Sequence, residues 1–299
     1  MLLTGVRVER VLLDGNRRAV GFEARALATG RRVRIRARAT VLACGALLTP
    51  VVLQKQGLHH GLKHVGRNLS IHPATSVSAL FDEEIRGYAA IPQGYCVDEF
   101  HRDGILMLGA SAPIDLAPGQ FAFTGRKLME IMDSYERIAS FGVMVEDRPL
   151  GRVRPGLFGR PLITYRLGRR ELALMRDGVA SLCKIFFAAG AREVYPAVQG
   201  HRVLRSLDDV EQLASTLPRA NHWLLSAFHP LGTCRMATSP SHGVVSPSHE
   251  VFGLPGLYIV DGSAVPSAAA VNPQVTIMAL ATRAADLLAE QLGAAARAA

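Results

Sequence analysis

Residues 257–276 read LYIVDGSAVPSAAAVNPQVT, and the fold is best read outward from them. Leu257-Tyr258-Ile259-Val260 is a short apolar run, the pattern of a buried strand, and it ends at Asp261. An acid followed by glycine at the end of a buried strand marks the place where open α/β sheets bind ligands. Taken alone the signal is weak, because many strand ends carry an Asp-Gly turn. Asn272 and Pro273 then open a helix, as N-cap and first helical residue. Ile277, Leu280, Ala284 and Leu287 give that helix an apolar stripe, and Gly293 reads as its stop. A helix N-terminus presents unpaired N–H groups and a partial positive charge, which suit an anion or an electron-rich ring edge. On local grounds alone, Asn272 reads first as a simple cap.

Upstream, Phe228-His229-Pro230-Leu231-Gly232-Thr233-Cys234-Arg235-Met236 sets a histidine between an apolar residue and a Pro-x-Gly turn. Such a histidine sits in a rigid turn, where functional groups are often displayed; by residue type alone it also reads as a structural hydrogen-bonder. At the N-terminus, VRVERVL, RAVGFEARAL and RRVRIRAR read as three strands punctuated by Asp14-Gly15-Asn16 and Thr29-Gly30. A further strand, Thr40-Val41-Leu42-Ala43, leads into Cys44-Gly45-Ala46 and a helix expected to have Thr49 as N-cap, Pro50 at its first position and Gly57 at its end. Leu172, Met175, Val179, Leu182 and Phe186 recur at helical spacing between Glu171 and Ala189, and Gly190 follows as a stop. Residues 70–165 mix strands with irregular connections.

The composition narrows the class. The 299 residues are 49% hydrophobic and 20% charged, with a net charge of +9. A chain of this length buries about three-quarters of its unfolded surface, and disordered, collagenous and disulfide-rich classes are excluded. Cys44, Cys96, Cys183 and Cys234 form no CxxC pair, so no zinc or redox motif is present, no metal is expected, and a reducing, cytoplasmic setting fits. No signal peptide is read at the N-terminus. The longest uncharged stretch, Gly262–Thr282, contains Pro266, Asn272, Pro273 and Gln274, which argue against a membrane span. Arg31, Arg32, Arg34, Arg36 and Arg38 are interleaved with Val33, Ile35 and Ala37, the pattern of a half-buried strand with one wet face. No aromatic residue interleaves with the arginines, so no stacking platform for nucleic acid is expected there.

HPLGTCRM, VDGSAVPSAAAVNPQVTIMALATRAA, ATVLACGALLTPVVLQKQGL and VGRNLSIHP together resemble the C-terminal part of the glucose–methanol–choline (GMC) oxidoreductases, FAD-dependent alcohol oxidases and dehydrogenases. The resemblance is strong over residues 1–75 and 220–292. It implies an α/β fold. A partial, Rossmann-like FAD-binding domain would comprise residues 1–70 and 225–299, and an α+β substrate domain residues 71–224. It further implies that His229 is the acid–base group and that the second catalytic position falls on Asn272. By the same resemblance Val8 lies near the FAD adenine. Ala43, Gly45 and Ala46 lie beside the adenosine and diphosphate, Asp261 and Gly262 near the diphosphate and ribityl chain, and Asn272, Pro273, Gln274 and Val275 at the flavin ring.

The chemistry suits these residue types. Neutral imidazole accepts an alcohol proton near neutral pH, a carboxamide orients the alcohol oxygen without titrating, and a helix start stabilises negative charge on the reduced ring. The expected reaction is oxidation of an alcohol, with a lean toward long-chain or sterol-like substrates. One family element is missing: no GxGxxG strand–turn–helix occurs in the chain. The N-terminal FAD-binding half is therefore expected to be absent, the chain alone to bind FAD weakly, and an N-terminal fragment to be a partner in trans. The competing readings are a non-catalytic orphan fragment or subunit of a split flavoenzyme, and nucleic-acid binding through the arginine face, which predicts a steep salt dependence.

Overall fold

The computed structural model describes residues 2–298, with side-chain detail for residues 2–293. Strands β1 (Val6–Leu13), β2 (Ala19–Ala26), β3 (Arg32–Arg36) and β4 (Thr40–Leu42) precede helix α1 (Gly45–Lys55). Then come β5 (Ala74–Leu80), β6 (Cys96–Val97), β7 (Ile105–Gly109), α2 (Gly125–Asp133), β8 (Ile138–Val145), β9 (Arg152–Pro155) and β10 (Pro161–Thr164). The chain closes with α3 (Arg169–Ala188), β11 (Glu193–Pro196), α4 (Leu207–Ala214), β12 (Leu257–Ile259) and α5 (Gln274–Ala298). It divides into two compact units. Unit 1 comprises Met1–Ile71, Arg148–Arg166 and His229–Ala299; unit 2 comprises His72–Asp147 and Leu167–Phe228. The expected boundaries gave all of 71–224 to one domain, whereas Arg148–Arg166 groups with unit 1. The reason is the β9–β10 hairpin, which packs on α1 around Val51, Leu69 and Val153.

In unit 1, β1, β2 and β3 form an antiparallel sheet in that order. The Asp14 side chain builds the first turn by accepting from the N–H groups of Asn16 and Arg18, each at 2.9 Å. On this sheet Arg25 is held by Glu9 at 2.8 Å and Arg34 by Glu23 at 2.9 Å. The apolar strands β4 and β12 pair in parallel, with Leu257, Tyr258 and Ile259 opposite Thr40, Val41 and Leu42. Leu42, Leu53, Val244, Leu254, Leu257 and Ile259 are at the centre of this unit's core. Helix α5 runs past Gly293, which therefore does not stop it.

Helix α1 starts a turn earlier than Thr49 and Pro50 led us to expect. The carboxylate of Asp261 takes the place of a local cap, its Oδ2 accepting from the Gly45 N–H at 2.9 Å. A carboxylate at a helix N-terminus is also favoured by the helix dipole, and α1 has no acid of its own in its first turn. Pro50 consequently lies inside the helix, where its missing N–H would ordinarily leave the carbonyl four residues earlier unpaired. That carbonyl, of Ala46, instead accepts from the Thr233 hydroxyl at 2.6 Å.

Unit 2 is a five-stranded antiparallel sheet ordered β11-β5-β8-β7-β6. Helix α3 packs on it through Met175, Val179, Leu182 and Phe186, meeting Val77, Met107, Val143 and Val145 of the sheet. This is the apolar stripe read from the sequence. Gly178 lies on the same contact; a Cβ there would stand 2.6 Å from Val143 Cγ1.

Candidate active site

The ends of two parallel strands set the frame. Ala43-Cys44-Gly45 follows β4 and Asp261-Gly262 follows β12, so the two turns leave the sheet side by side. Asp261 ties them together. Besides the Gly45 N–H, its Oδ2 accepts from the Thr49 hydroxyl at 2.6 Å, while Oδ1 accepts from the Ser263 N–H at 2.7 Å. Thr49 Oγ1 in turn accepts from the Cys44 N–H at 3.2 Å. Gly45 adopts φ +80, and no atom lies within 4 Å of where its Cβ would stand. The turn is thus open above the backbone, and its conformation selects glycine.

The His229 turn lies against this frame. The Gly232 N–H donates to the Gly262 carbonyl at 3.1 Å, and the Cys234 N–H to the Ser263 carbonyl at 2.8 Å. On its other side, Leu231 and Ser70 exchange backbone hydrogen bonds of 2.9 and 3.2 Å, and the Gly66 N–H reaches the Thr233 carbonyl at 2.7 Å. The VGRNLSIHP and HPLGTCRM segments are therefore neighbours. His229 is half-buried, and burial holds its imidazole below the ordinary value of 6.5. Cys234 is fully buried, and burial, followed by the nearby Asp261 charge, pushes its thiol up; it is a core residue.

The start of α5 reaches the same place. Gly262 is pressed from two directions: a Cβ on it would lie 3.3 Å from the Pro230 carbonyl oxygen, 3.2 Å from Leu231 Cδ2 and 3.3 Å from Ile277 Cδ1. Ile277 donates its N–H to the Pro273 carbonyl at 2.9 Å, in the first turn of that helix. The residue after His229 and the helix turn opened by Asn272 thus converge on one glycine. Pro273 is buried, whereas Asn272, Gln274 and Val275 are exposed. Val8 stands apart from this group. It lines a cleft of about 690 Å³ together with Cys44, Leu48, Val51 and Phe158, and so shares only the Ala43–Ala46 turn with the other candidates.

Two residues that hold the site together escaped the sequence reading as such. Thr49 reads locally as a cap but secures Asp261, and Thr233 reads as part of a motif but secures the Ala46 carbonyl. A signal for the second was available: a proline inside a helix frees a carbonyl that some donor must satisfy.

Comparison with known proteins follows the same outline. Residues 1–74 and 154–281, together more than half of the chain, match family profiles described as GMC oxidoreductase. An uncharacterized GMC-type oxidoreductase of Mycobacterium tuberculosis is 36% identical over 95% of this chain and 45% of its own length. A long-chain-alcohol oxidase of Arabidopsis thaliana is 28% identical over 94% of this chain and 41% of its own. Among solved structures, pyridoxine 4-oxidase from Mesorbium loti aligns with a TM-score of 0.69 at 20% identity, over 96% of this chain and 57% of that one. The chain spans about half the length of the curated relatives it matches.

Proposed function

The chain belongs to the GMC oxidoreductase family, and from that premise we propose that it carries the acid–base half of an FAD-dependent alcohol oxidation. The convergence of the His229 turn and the Asn272 helix start on Gly262, beside the open Gly45 turn, supports this reading. Fit to the cofactor is partial. The open turn at Gly45 and the cleft lined by Val8 and Cys44 suit the adenosine end, while no GxGxxG segment is present to cradle the diphosphate. Ala43, Gly45 and Ala46 would flank the adenosine and diphosphate, Asp261 and Gly262 the ribityl side, and Asn272, Pro273, Gln274 and Val275 the ring.

When bound, FAD supplies the acceptor for the hydride leaving the alcohol carbon. The chain's own residues handle the proton and the charge. Half-buried and neutral, the His229 imidazole takes the hydroxyl proton. Asn272 donates to or accepts from the alcohol oxygen and fixes its orientation. The start of α5 presents backbone N–H groups toward negative charge, and they need no rearrangement to do so. Similarity to the Arabidopsis oxidases makes a long-chain alcohol the substrate we favour. The four cysteines are free thiols, which fits the reducing cytoplasm. Among the described residues no helix is long and apolar enough to cross a membrane.

A second reading, a subunit active only with a flavin-holding partner, is favoured by the two-stranded parallel sheet, whose Val41 is 39% exposed. One experiment separates the two. The chain is mixed with FAD, alone or with the part of the mycobacterial relative that lies outside the match, and a long-chain alcohol is added without oxygen while the flavin band is followed. Bleaching with FAD alone supports the self-sufficient enzyme, and bleaching only with the added segment supports the split one. His229→Ala should slow either by about 100- to 10,000-fold. Bleaching at full rate in that variant, or none in any mixture, rejects the proposed chemistry.

A further inference from the structure

A second cleft in unit 1, of about 390 Å³, shares no lining residue with the Val8 cleft. Its walls carry His59, His60, Lys63 and Arg67 from the loop after α1, and Arg152 and Arg154 from β9. No carboxylate lines it. Elsewhere in the molecule arginines find acids: Arg25 is paired with Glu9, Arg170 with Glu146, Arg192 with Asp82 and Arg205 with Glu193. Lys63, Arg67, Arg152 and Arg154 form no ion pair among the described residues. Four like charges around one concavity repel one another, and with low-dielectric walls their field is focused inward.

The cleft has a built floor. Arg152 and Arg154 sit two apart on one strand and so point to the same face. Between them Val153 is fully buried; its N–H donates to the Gly66 carbonyl at 2.7 Å, and its carbonyl accepts from Gln54 Nε2 at 3.0 Å. Gly66 passes so close that a Cβ would stand 2.2 Å from the Val153 oxygen. The loop and the strand are thereby locked at a fixed separation. His59 stacks on His60 with ring centroids 4.6 Å apart. Its Nδ1 is buried without a hydrogen-bond partner, an uncommon state for a polar atom in a folded protein.

We propose that this cleft binds a phosphate-bearing ligand, with Arg152 and Arg154 as one wall and Lys63 and Arg67 as the other. Phosphate suits the donor set, because paired guanidinium forks match its oxygens and carry the charge to balance two or more negative charges. The same chemistry comes from a free organic phosphate or from the headgroup of an anionic lipid.

The test uses the full chain in two arms at physiological salt. Inorganic pyrophosphate is titrated calorimetrically, and sedimentation is measured with phosphatidylcholine vesicles with and without phosphatidic acid. Binding in the first arm identifies a free phosphate; binding confined to the phosphatidic acid vesicles identifies the headgroup. In either case Arg152→Gln with Arg154→Gln should weaken binding by about tenfold or more. Lys63→Gln with Arg67→Gln, on the other wall, should do the same, so that a folding defect in one pair does not decide the result. Arg36→Gln, on the exposed face of β3, should leave binding unchanged. No binding in either arm, or equal affinity in both double variants and the parent, overturns the proposal.

Discussion

Each of the two units has its own kind of internal cohesion. In unit 2 the centre is the apolar contact between helix α3 and strands β5, β7 and β8 of an antiparallel sheet. The site in unit 1 is held by a few polar bonds between segments far apart in the chain: Asp261 to Gly45 and Thr49, and Thr233 to Ala46. A core spread over many contacts is sensitive to lost volume. A site built on single acceptors is sensitive to a change in hydrogen-bonding capacity with hardly any change in volume.

Trp223, the sole tryptophan, lies in the unit 2 core and reports on that unit. The largest expected effect is there. Phe186→Ala removes a ring that meets Phe81 and Phe141 edge-on and should cost about 3–5 kcal/mol in urea unfolding followed by Trp223 fluorescence. A loss below about 1 kcal/mol would show that this core relaxes around the cavity.

Asp261→Asn tests the other kind of construction. Three donors face this carboxylate, which only accepts; an amide turns an NH₂ group toward one of them. A local loss of about 1–3 kcal/mol is expected, seen as faster hydrogen exchange at the Gly45 and Ser263 amides with the Trp223 transition unmoved. If that transition moves by the same amount, the two units unfold together and the contrast between them fails.

The smallest effect sharpens the comparison most. Thr233→Val should cost about 1 kcal/mol by stranding the Ala46 carbonyl. In a Pro50→Ala background residue 50 regains an N–H that can serve that carbonyl, so the same substitution should cost less. Equal costs in both backgrounds would show that the Thr233 hydroxyl does not stand in for the missing proline donor.

This contrast also sets what was legible in the sequence. Strands β1 to β4, helix α3, β12 and the opening of α5 follow from period, caps and turn residues, which are local properties. The start of α1 is not legible locally, because Thr49-Pro50 is a sound cap signal that a carboxylate more than two hundred residues away overrides. The pairing of Ser70 with Leu231 and the grouping of the β9–β10 hairpin with unit 1 depend on long-range contacts that no local pattern encodes. His229, Asn272 and Asp261 are each ambiguous on local grounds, and it is the resemblance of four ordered segments to one family that singles them out. Which backbone atoms would hold them in place could not be read.

The central claim is that a neutral imidazole at position 229 takes the alcohol proton, and the pH profile of flavin reduction by alcohol tests it most directly. Burial holds His229 below 6.5, so the ring is a competent base above that lowered value and is lost as pH falls through it. The rate should rise with pH along a limb whose midpoint lies below 6.5, and His229→Ala should abolish both the limb and most of the rate. A limb that persists unchanged in His229→Ala would contradict the account.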